Sequence, residues 1–252
     1  MKWLKQFVFI NLFKTIIINL KLFPFKQAVS LPIFMYGKVD IKHTCGRGYI
    51  HVPVFPGMIK VGQNNSSLFG HGFPLKTRFC IKGQLDVYGG NIRFSNGTVL
   101  SVKAKGCLKL NENILINVES TIMCTHSIVI GSNVQISWQC QISDTNFHYI
   151  LDEERMVSRR NKSVHIGENV WVGNRVTINP GSVVPNDSVV ACNTLLNKDY
   201  SSEGTKILLG GVPARKIKSG ITRLYNKKEE MLADRLFEQY PELEFVQLPS
   251  VD

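Results

Sequence analysis

A period of six constrains this chain more than anything else in it. From Ile166 it reads IGENVW, VGNRVT, INPGSV, VPNDSV, VACNTL and LNKDYS, so that Ile166, Val172, Ile178, Val184, Val190 and Leu196 each open a block. The blocks IGSNVQ, ISWQCQ and ISDTNF, opened by Ile130, Ile136 and Ile142, keep the same phase. LNENIL, INVEST and IMCTHS, opened by Leu110, Ile116 and Ile122, come earlier, with two extra residues before Ile130. An α-helix repeats about every 3.6 residues and cannot hold a strict six. An alternating strand repeats every second residue and demands nothing special at one place in six. Here the second place holds Gly131, Gly167, Gly173, Asn117, Asn179 and Asn197, residue types that tolerate a positive φ. The fifth place is small or β-branched at Val170, Val176, Ser182, Ser188 and Thr194. The pattern predicts a short strand, then a turn at the second place, with the opening aliphatics stacked inward. That is a parallel β-helix, an all-β fold.

An aliphatic ladder explains a chain of 252 residues that is 44% hydrophobic and only 19% charged, and such a composition excludes a disordered protein. Six cysteines in 252 residues are too few for a disulfide scaffold, and they form no CxxC pair, which excludes a zinc ribbon and a thioredoxin motif. They read as reduced and mostly buried. The net charge of +11 is unevenly spread. Residues 1–60 hold Lys2, Lys5, Lys14, Lys21, Lys26, Lys38, Lys42, Arg47 and Lys60 against the single acid Asp40. The remainder is close to neutral, which argues against a nucleic-acid partner. The same segment is apolar, but Lys14 and Lys21 interrupt it, so it falls short of a spanning helix. It also lacks the unbroken apolar run and small-residue cleavage site of a secretory signal. Two compatible readings remain: a helix capping the fold, and an amphipathic segment on a membrane surface.

The stretch VHIGENVWVGNRVTINPGSVVPNDSVV, followed by GGVPARKIK, resembles the hexapeptide-repeat acyltransferases. The likeness is to the galactoside, maltose and serine-type O-acetyltransferases and to the surface-polysaccharide acetyltransferases. It covers residues 84–220 and is most specific over 130–218. LFKTIIINLKLFPFKQAVSLPIFMYGKV is similar to the leader of capsule-cluster members of the group. The resemblance implies a left-handed coil with N-terminal and C-terminal helical segments, assembled as a homotrimer. It also implies acetyl-CoA bound between subunits as co-substrate. The implied reaction is O-acetylation of a sugar hydroxyl, on a surface polysaccharide or its lipid-linked precursor. The implied location is the cytoplasm, at the inner face of the cell membrane. The organisation expected is an N-terminal segment over 1–60, an acyltransferase β-helix over 61–218 with a loop at 143–163, and a C-terminal helix and tail over 219–252. In that last part Leu224, Met231, Leu232 and Leu236 recur at near-helical spacing.

Ile142 and Ile166 are four sixes apart, so the repeat resumes in phase after a polar excursion. Long excursions from compact scaffolds are commonly functional. His148 opens this one and matches the family's catalytic histidine; an imidazole suits a base near neutral pH. Asp144 reads either as the carboxylate orienting that ring or as a turn former. Asn117 matches a family asparagine lining the site, and reads equally as a left-handed turn residue. Trp138 and Trp171 stand off the ladder, beside the acceptor or at a subunit boundary. For the donor, Asn174, Cys192, Asn197 and Lys198 match family positions along one edge of the coils. Arg215 and Lys218 match contacts to the CoA phosphates, a role suited to cations. No metal is expected, because His126, His148 and His165 lack the spacing of a three-histidine zinc site. His126 reads as a packed rung residue and His165 as structural. N-acylation of an amino sugar or nucleotide-sugar stands as the alternative, followed by a non-catalytic scaffold.

Overall fold

The predicted ladder forms in register. We describe the chain from a computed structural model covering residues 10–63 and 75–249; Lys2, Lys5 and Phe7 of the basic segment lie outside them. Ile116, Ile136, Val172 and Val190 pair in succession in one sheet. Ile122, Ile142, Ile178 and Leu196 do so in a second. Leu110, Ile130, Ile166 and Val184 do so in a third. All twelve side chains are buried. The chain therefore coils through three sheets of nine, seven and six strands among the described residues. Each full coil contributes one strand to the first sheet, then the second, then the third.

The coil begins well ahead of residue 61. Strands β1 (Ile33–Met35), β2 (Val39–Asp40) and β3 (Arg47–Ile50) pair in parallel with β4 (Ile59–Gln63), β5 (Thr77–Ile81) and β6 (Gln84–Val87). Their connections are long and unequal, so no six-residue period marks them in the sequence.

The turns differ from expectation. Positive φ falls at the fourth place of the blocks, at Asn113, Glu119, Asn133, Gln139, Asn169, Arg175, Gly181, Asp187 and Asn193, and not at the second. The second-place residue is still extended and donates its N–H to the next coil, as in Gly131 to Ile166 O and Gly167 to Val184 O. Glycine is needed there for close approach: a Cβ on Gly167 would lie 2.4 Å from Asn186 Oδ1 and 2.9 Å from Val184 O. At one corner the fourth-place residues build a side-chain ladder. Asn91, Asn113, Asn133 and Asn169 each donate from Nδ2 to the next, and Asn169 donates to Asp187, at 2.7–2.9 Å. These amides serve twice, tolerating the left-handed turn and tying successive coils.

Helix α1 (Leu12–Leu22) and the short α2 (Phe25–Ala28) close the open end of the coil. An exposed sheet edge invites pairing with other chains. Here side chains occupy it. Thr15 Oγ1 accepts from Met35 N at 3.0 Å, while Asn19 accepts from Ile33 N at 2.9 Å and donates to Ile33 O at 2.8 Å. Lys14 Nζ donates to Val39 O at 2.6 Å, and the Gln27 amide accepts from Ile50 N and donates to Ile50 O. All three sheets are thus capped, and α1 turns its polar Thr15 and Asn19 inward. Leu12, Phe13, Ile16 and Leu20 face outward, with Phe13 74% exposed.

At the far end a strand over Arg215–Ser219 folds back antiparallel on Ile207–Gly210. Tyr200 is fully buried beneath it. Helix α3 (Lys227–Gln239) is capped by Asn226 Oδ1, which accepts from Lys228 N at 3.0 Å, and none of its residues is buried. The cysteines correct one expectation: Cys124 and Cys140 are buried, but Cys45 and Cys192 are exposed and Cys80 and Cys107 half-buried. The two exposed cysteines stand in turns, Cys45 ahead of the strand Arg47–Ile50 and Cys192 after the strand Val189–Val190. Burial pushes the Cys140 thiol up to about 11, and Cys124 is pushed up further by burial and by Asp144.

Candidate functional site

The excursion after Ile142 leaves the coil where the second sheet passes to the third, hereafter the arm corner. It is a narrow antiparallel arm. Thr145 bridges Asn161 and Leu151 bridges Val157, and Asn146 N donates to Arg160 O at 2.9 Å. The Arg160 guanidinium lies 4.9 Å over the Tyr149 ring.

The arm is fastened at its root by Asp144. This residue is fully buried; Oδ1 accepts from Thr125 N at 2.7 Å and Thr125 Oγ1 at 2.9 Å, and Oδ2 accepts from His126 N at 2.7 Å. Both oxygens are thus committed to the corner turn of the preceding coil. Of the two readings for Asp144 the geometry favours the structural one, in a stronger form: it ties two coils together where the arm departs. Thr145 Oγ1 then accepts from Phe147 N at 3.0 Å, and Phe147 takes a left-handed φ of 60°. These turns present His148 at the root of the arm, its N–H donating to Asn146 O at 2.7 Å and its ring exposed. His126 is exposed at the same corner, which corrects its reading as a packed rung residue. The eight-residue step from Ile122 to Ile130 widens that turn, so the fifth place no longer points inward. His165 lies in the strand Val164–Ile166 with its ring outward.

The other candidates fall into separate groups. Asn117, Trp138, Asn174 and Cys192 lie where the first sheet passes to the second, hereafter the first corner, in four successive coils. Asn117 has no positive φ, so it is not the left-handed turn residue; its Oδ1 accepts from Val118 N at 2.8 Å. The Cys192 thiol donates to Asn174 Oδ1 at 2.7 Å. Asn197 and Lys198 follow the strand Leu195–Leu196 of the second sheet and so lie at the arm corner, two coils beyond His148. Lys198 Nζ sits 5.3 Å over the Tyr200 ring. Arg215 and Lys218 are exposed on the returning strand, while Lys216 between them pairs with Glu203 at 3.2 Å. Trp171 is on the first sheet, its Nε1 donating to Ser137 Oγ at 3.3 Å, with Arg223 5.9 Å over the ring. One chain therefore gathers His148, Asn197 and Lys198 at one corner and Asn117, Trp138, Asn174 and Cys192 at another. Among the described residues no group of three or more His, Cys, Asp or Glu could hold a metal ion.

No family model matches the chain. It is 28% identical over 111 residues to a galactoside O-acetyltransferase of Escherichia coli K12, a match that takes in 44% of this chain and 53% of the relative. It is 27% identical over 151 residues to a candidate lipopolysaccharide-biosynthesis O-acetyl transferase of the same strain, over 56% of this chain and 76% of the relative. The chain thus spans about half the length of the first of these relatives. A crystal structure of a hexapeptide-repeat acetyltransferase from Vibrio cholerae, complexed with acetyl coenzyme A, is 26% identical. It covers 53% of this chain and 70% of that one, with a TM-score of 0.45. In sequence, then, this chain resembles the hexapeptide-repeat O-acetyltransferases, and it folds as the parallel β-helix that its six-residue period predicts.

Proposed function

We infer that the protein is an acetyl-CoA-dependent O-acetyltransferase acting on a sugar hydroxyl of a surface glycan or its lipid-linked precursor. The observation that carries this reading is the exposed His148, held at the root of an arm that Asp144 ties to a rigid coil, in a chain whose sequence resembles the O-acetyltransferases. Acetyl transfer needs a base to take the hydroxyl proton as the oxygen attacks the thioester carbonyl, and His148 supplies it. A backbone N–H steadies the developing oxyanion. Collapse of the intermediate breaks the C–S bond, the imidazolium gives its proton to the departing CoA thiolate, and no acetyl-enzyme forms.

The division of the candidates between two corners supports a site completed by a second copy of the chain, as in a homotrimer. His148, Asn197 and Lys198 come from one subunit and Asn117, Trp138, Asn174 and Cys192 from its neighbour. Helix α3 supports the same assembly, since none of its residues is fully buried within its own chain. Arg215 and Lys218, exposed and close in sequence, fit the CoA phosphates. At the opposite end the outward apolar face of α1, flanked by Lys21 and Lys26, supports peripheral contact with an anionic membrane. No described helix is long and apolar enough to cross one.

The test is incubation with isotopically labelled acetyl-CoA and a cell-surface glycan extract. The glycan is expected to gain label that mild alkali removes, as an ester would. Alkali-resistant label would indicate an amide and the N-acyltransferase alternative. No label on any glycan, with no thermal shift by CoA, would indicate a scaffold.

A further inference from the structure

A concave feature lies apart from the candidate site residues. A groove of about 740 Å³ runs along the arm corner at the N-terminal end of the coil. It crosses the first three coils, lined by residues 45–49, 82–86 and 104–107, and is walled on one side by Lys21 to Pro24 at the end of α1. Its cations are Lys21, Arg47, Lys82 and Lys105, all exposed. Its single acid, Asp86, is buried and already engaged: Oδ1 with His51 Nε2 at 3.2 Å, Oδ2 with Gln84 Nε2 at 2.8 Å. The groove is therefore strongly positive.

Its floor is bare backbone. Gly46, Gly83 and Gly106 stack so closely that a Cβ on Gly46 or Gly83 would lie 2.2 Å from the carbonyl oxygen of the next glycine. Most of these peptide groups already bond from coil to coil, Gly46 N–H to Ile81 O at 2.8 Å, Arg47 N–H to Gly83 O at 2.9 Å and Gln84 N–H to Gly106 O at 2.9 Å, so the floor contributes shape between the cations. Beside them Tyr49 is 49% exposed and begins an aromatic platform: its ring meets His51 edge-on at 4.9 Å, and His51 stacks on Tyr88 at 4.3 Å and 5°. Flat rings offer their faces to the C–H faces of sugar rings, and a row of cations suits acidic groups repeated along a chain.

The groove also points at the candidate base. The turns at residues 82–83, 103–106 and 125–126 and the arm at 144–163 leave the coil at one corner, in successive coils. With about 4.8 Å between coils, His148's root stands on the order of 10 Å beyond the groove's end. Between them lies only the turn with Thr125 and the exposed His126, and the arm brings Arg159, Arg160 and Lys162 back to the same place.

We propose that this groove binds an anionic glycan, one bearing carboxylate or phosphate groups along its chain, and feeds it along the arm corner to His148. This rests on the reading of the protein as a glycan O-acetyltransferase and names its acceptor class. The groove is open and spans several coils, which fits a polymer better than a single small molecule. A lipid surface would meet the cations but leave the recessed glycine floor and the Tyr49 platform without a use.

The test uses the full chain and the triple variant R47E/K82E/K105E. The probes are an oligogalacturonate of defined length, a neutral malto-oligosaccharide of equal length, and vesicles of phosphatidylcholine with phosphatidylglycerol. The wild type is expected to bind the acidic oligomer in preference to the neutral one, with an affinity that falls as salt rises. The triple variant should bind it about tenfold or more weakly, while circular dichroism melting and the thermal shift by CoA stay unchanged. As a guard against misfolding, the single variants K82Q and K105Q should each give a smaller loss in the same direction. Equal binding of acidic and neutral oligomers, or undiminished acidic binding in the triple variant, would overturn the proposal. So would loss of vesicle binding with glycan binding intact. Labelled acetyl transfer to a neutral sugar alcohol, run in parallel, reports on the O-acetyltransferase reading alone. Transfer without acidic preference defeats the groove proposal and spares that reading.

Discussion

Residue by residue, this fold depends on places where side chains must be absent or must serve two purposes. Gly167 is required by the approach of the next coil, so Gly167→Ala forces backbone apart. A cost of about 1–3 kcal/mol is expected by urea denaturation; an unchanged midpoint would show that the coils can give. Asp144 is the second such place. Its oxygens accept three hydrogen bonds from Thr125 and His126, and in Asp144→Asn a buried amide group would face a donor. The variant is expected to lose about 1–3 kcal/mol of stability. A variant of unchanged stability but altered pH dependence of turnover would instead mark Asp144 as the partner of the imidazole. The sequence displayed these residues more clearly than it explained them. Glycine at the second place was visible, but its reason is close packing and not turn conformation. The left-handed turns fall two places later, some on Arg175 and Gln139, residue types that do not advertise a positive φ. Asp144's partners sit 18 and 19 residues upstream, and only the coil brings them beside it.

At the scale of elements, the coil was legible wherever the six-residue period was regular and hidden where connections lengthen. Strands from Ile33 onward belong to the same sheets but follow no period, because residues 51–58 and 64–76 separate them unevenly. The arm was visible as an interruption, its antiparallel form was not. Helix α1 is the clearest case of structure adding what patterning could not. Its apolar residues suggest an apolar core-facing side, yet Thr15 and Asn19 are buried there beside Ile18 and Leu22, because an open sheet edge needs hydrogen bonds as well as apolar cover. Asn19→Ala would strand the N–H and C=O of Ile33. A loss of about 2–4 kcal/mol is expected from two unsatisfied buried groups, with faster proteolysis near residue 33. A melting temperature equal to the wild type's would mean that water replaces the amide there.

For the whole molecule, the sequence's charge asymmetry acquires a geometry. Among the described cations of the first sixty residues, Lys14 and Lys21 lie on the apolar helix that closes the coil, and Lys21 and Arg47 line the groove at its side. The candidate base stands further along the same corner. A chain whose candidate site residues lie at two corners, with no residue of its C-terminal helix fully buried, is expected to be trimeric by light scattering at micromolar concentration. Truncation after residue 222 should weaken that assembly; a monodisperse monomer with full turnover would exclude a shared site. The central claim is that His148 is the base of a direct acetyl transfer. It is tested most directly by steady-state release of CoA thiol in His148→Ala, alongside CoA binding and molecular mass. The account predicts a turnover lower by about 100-fold or more, with CoA affinity and oligomeric state unchanged. Turnover within a fewfold of the wild type would contradict it.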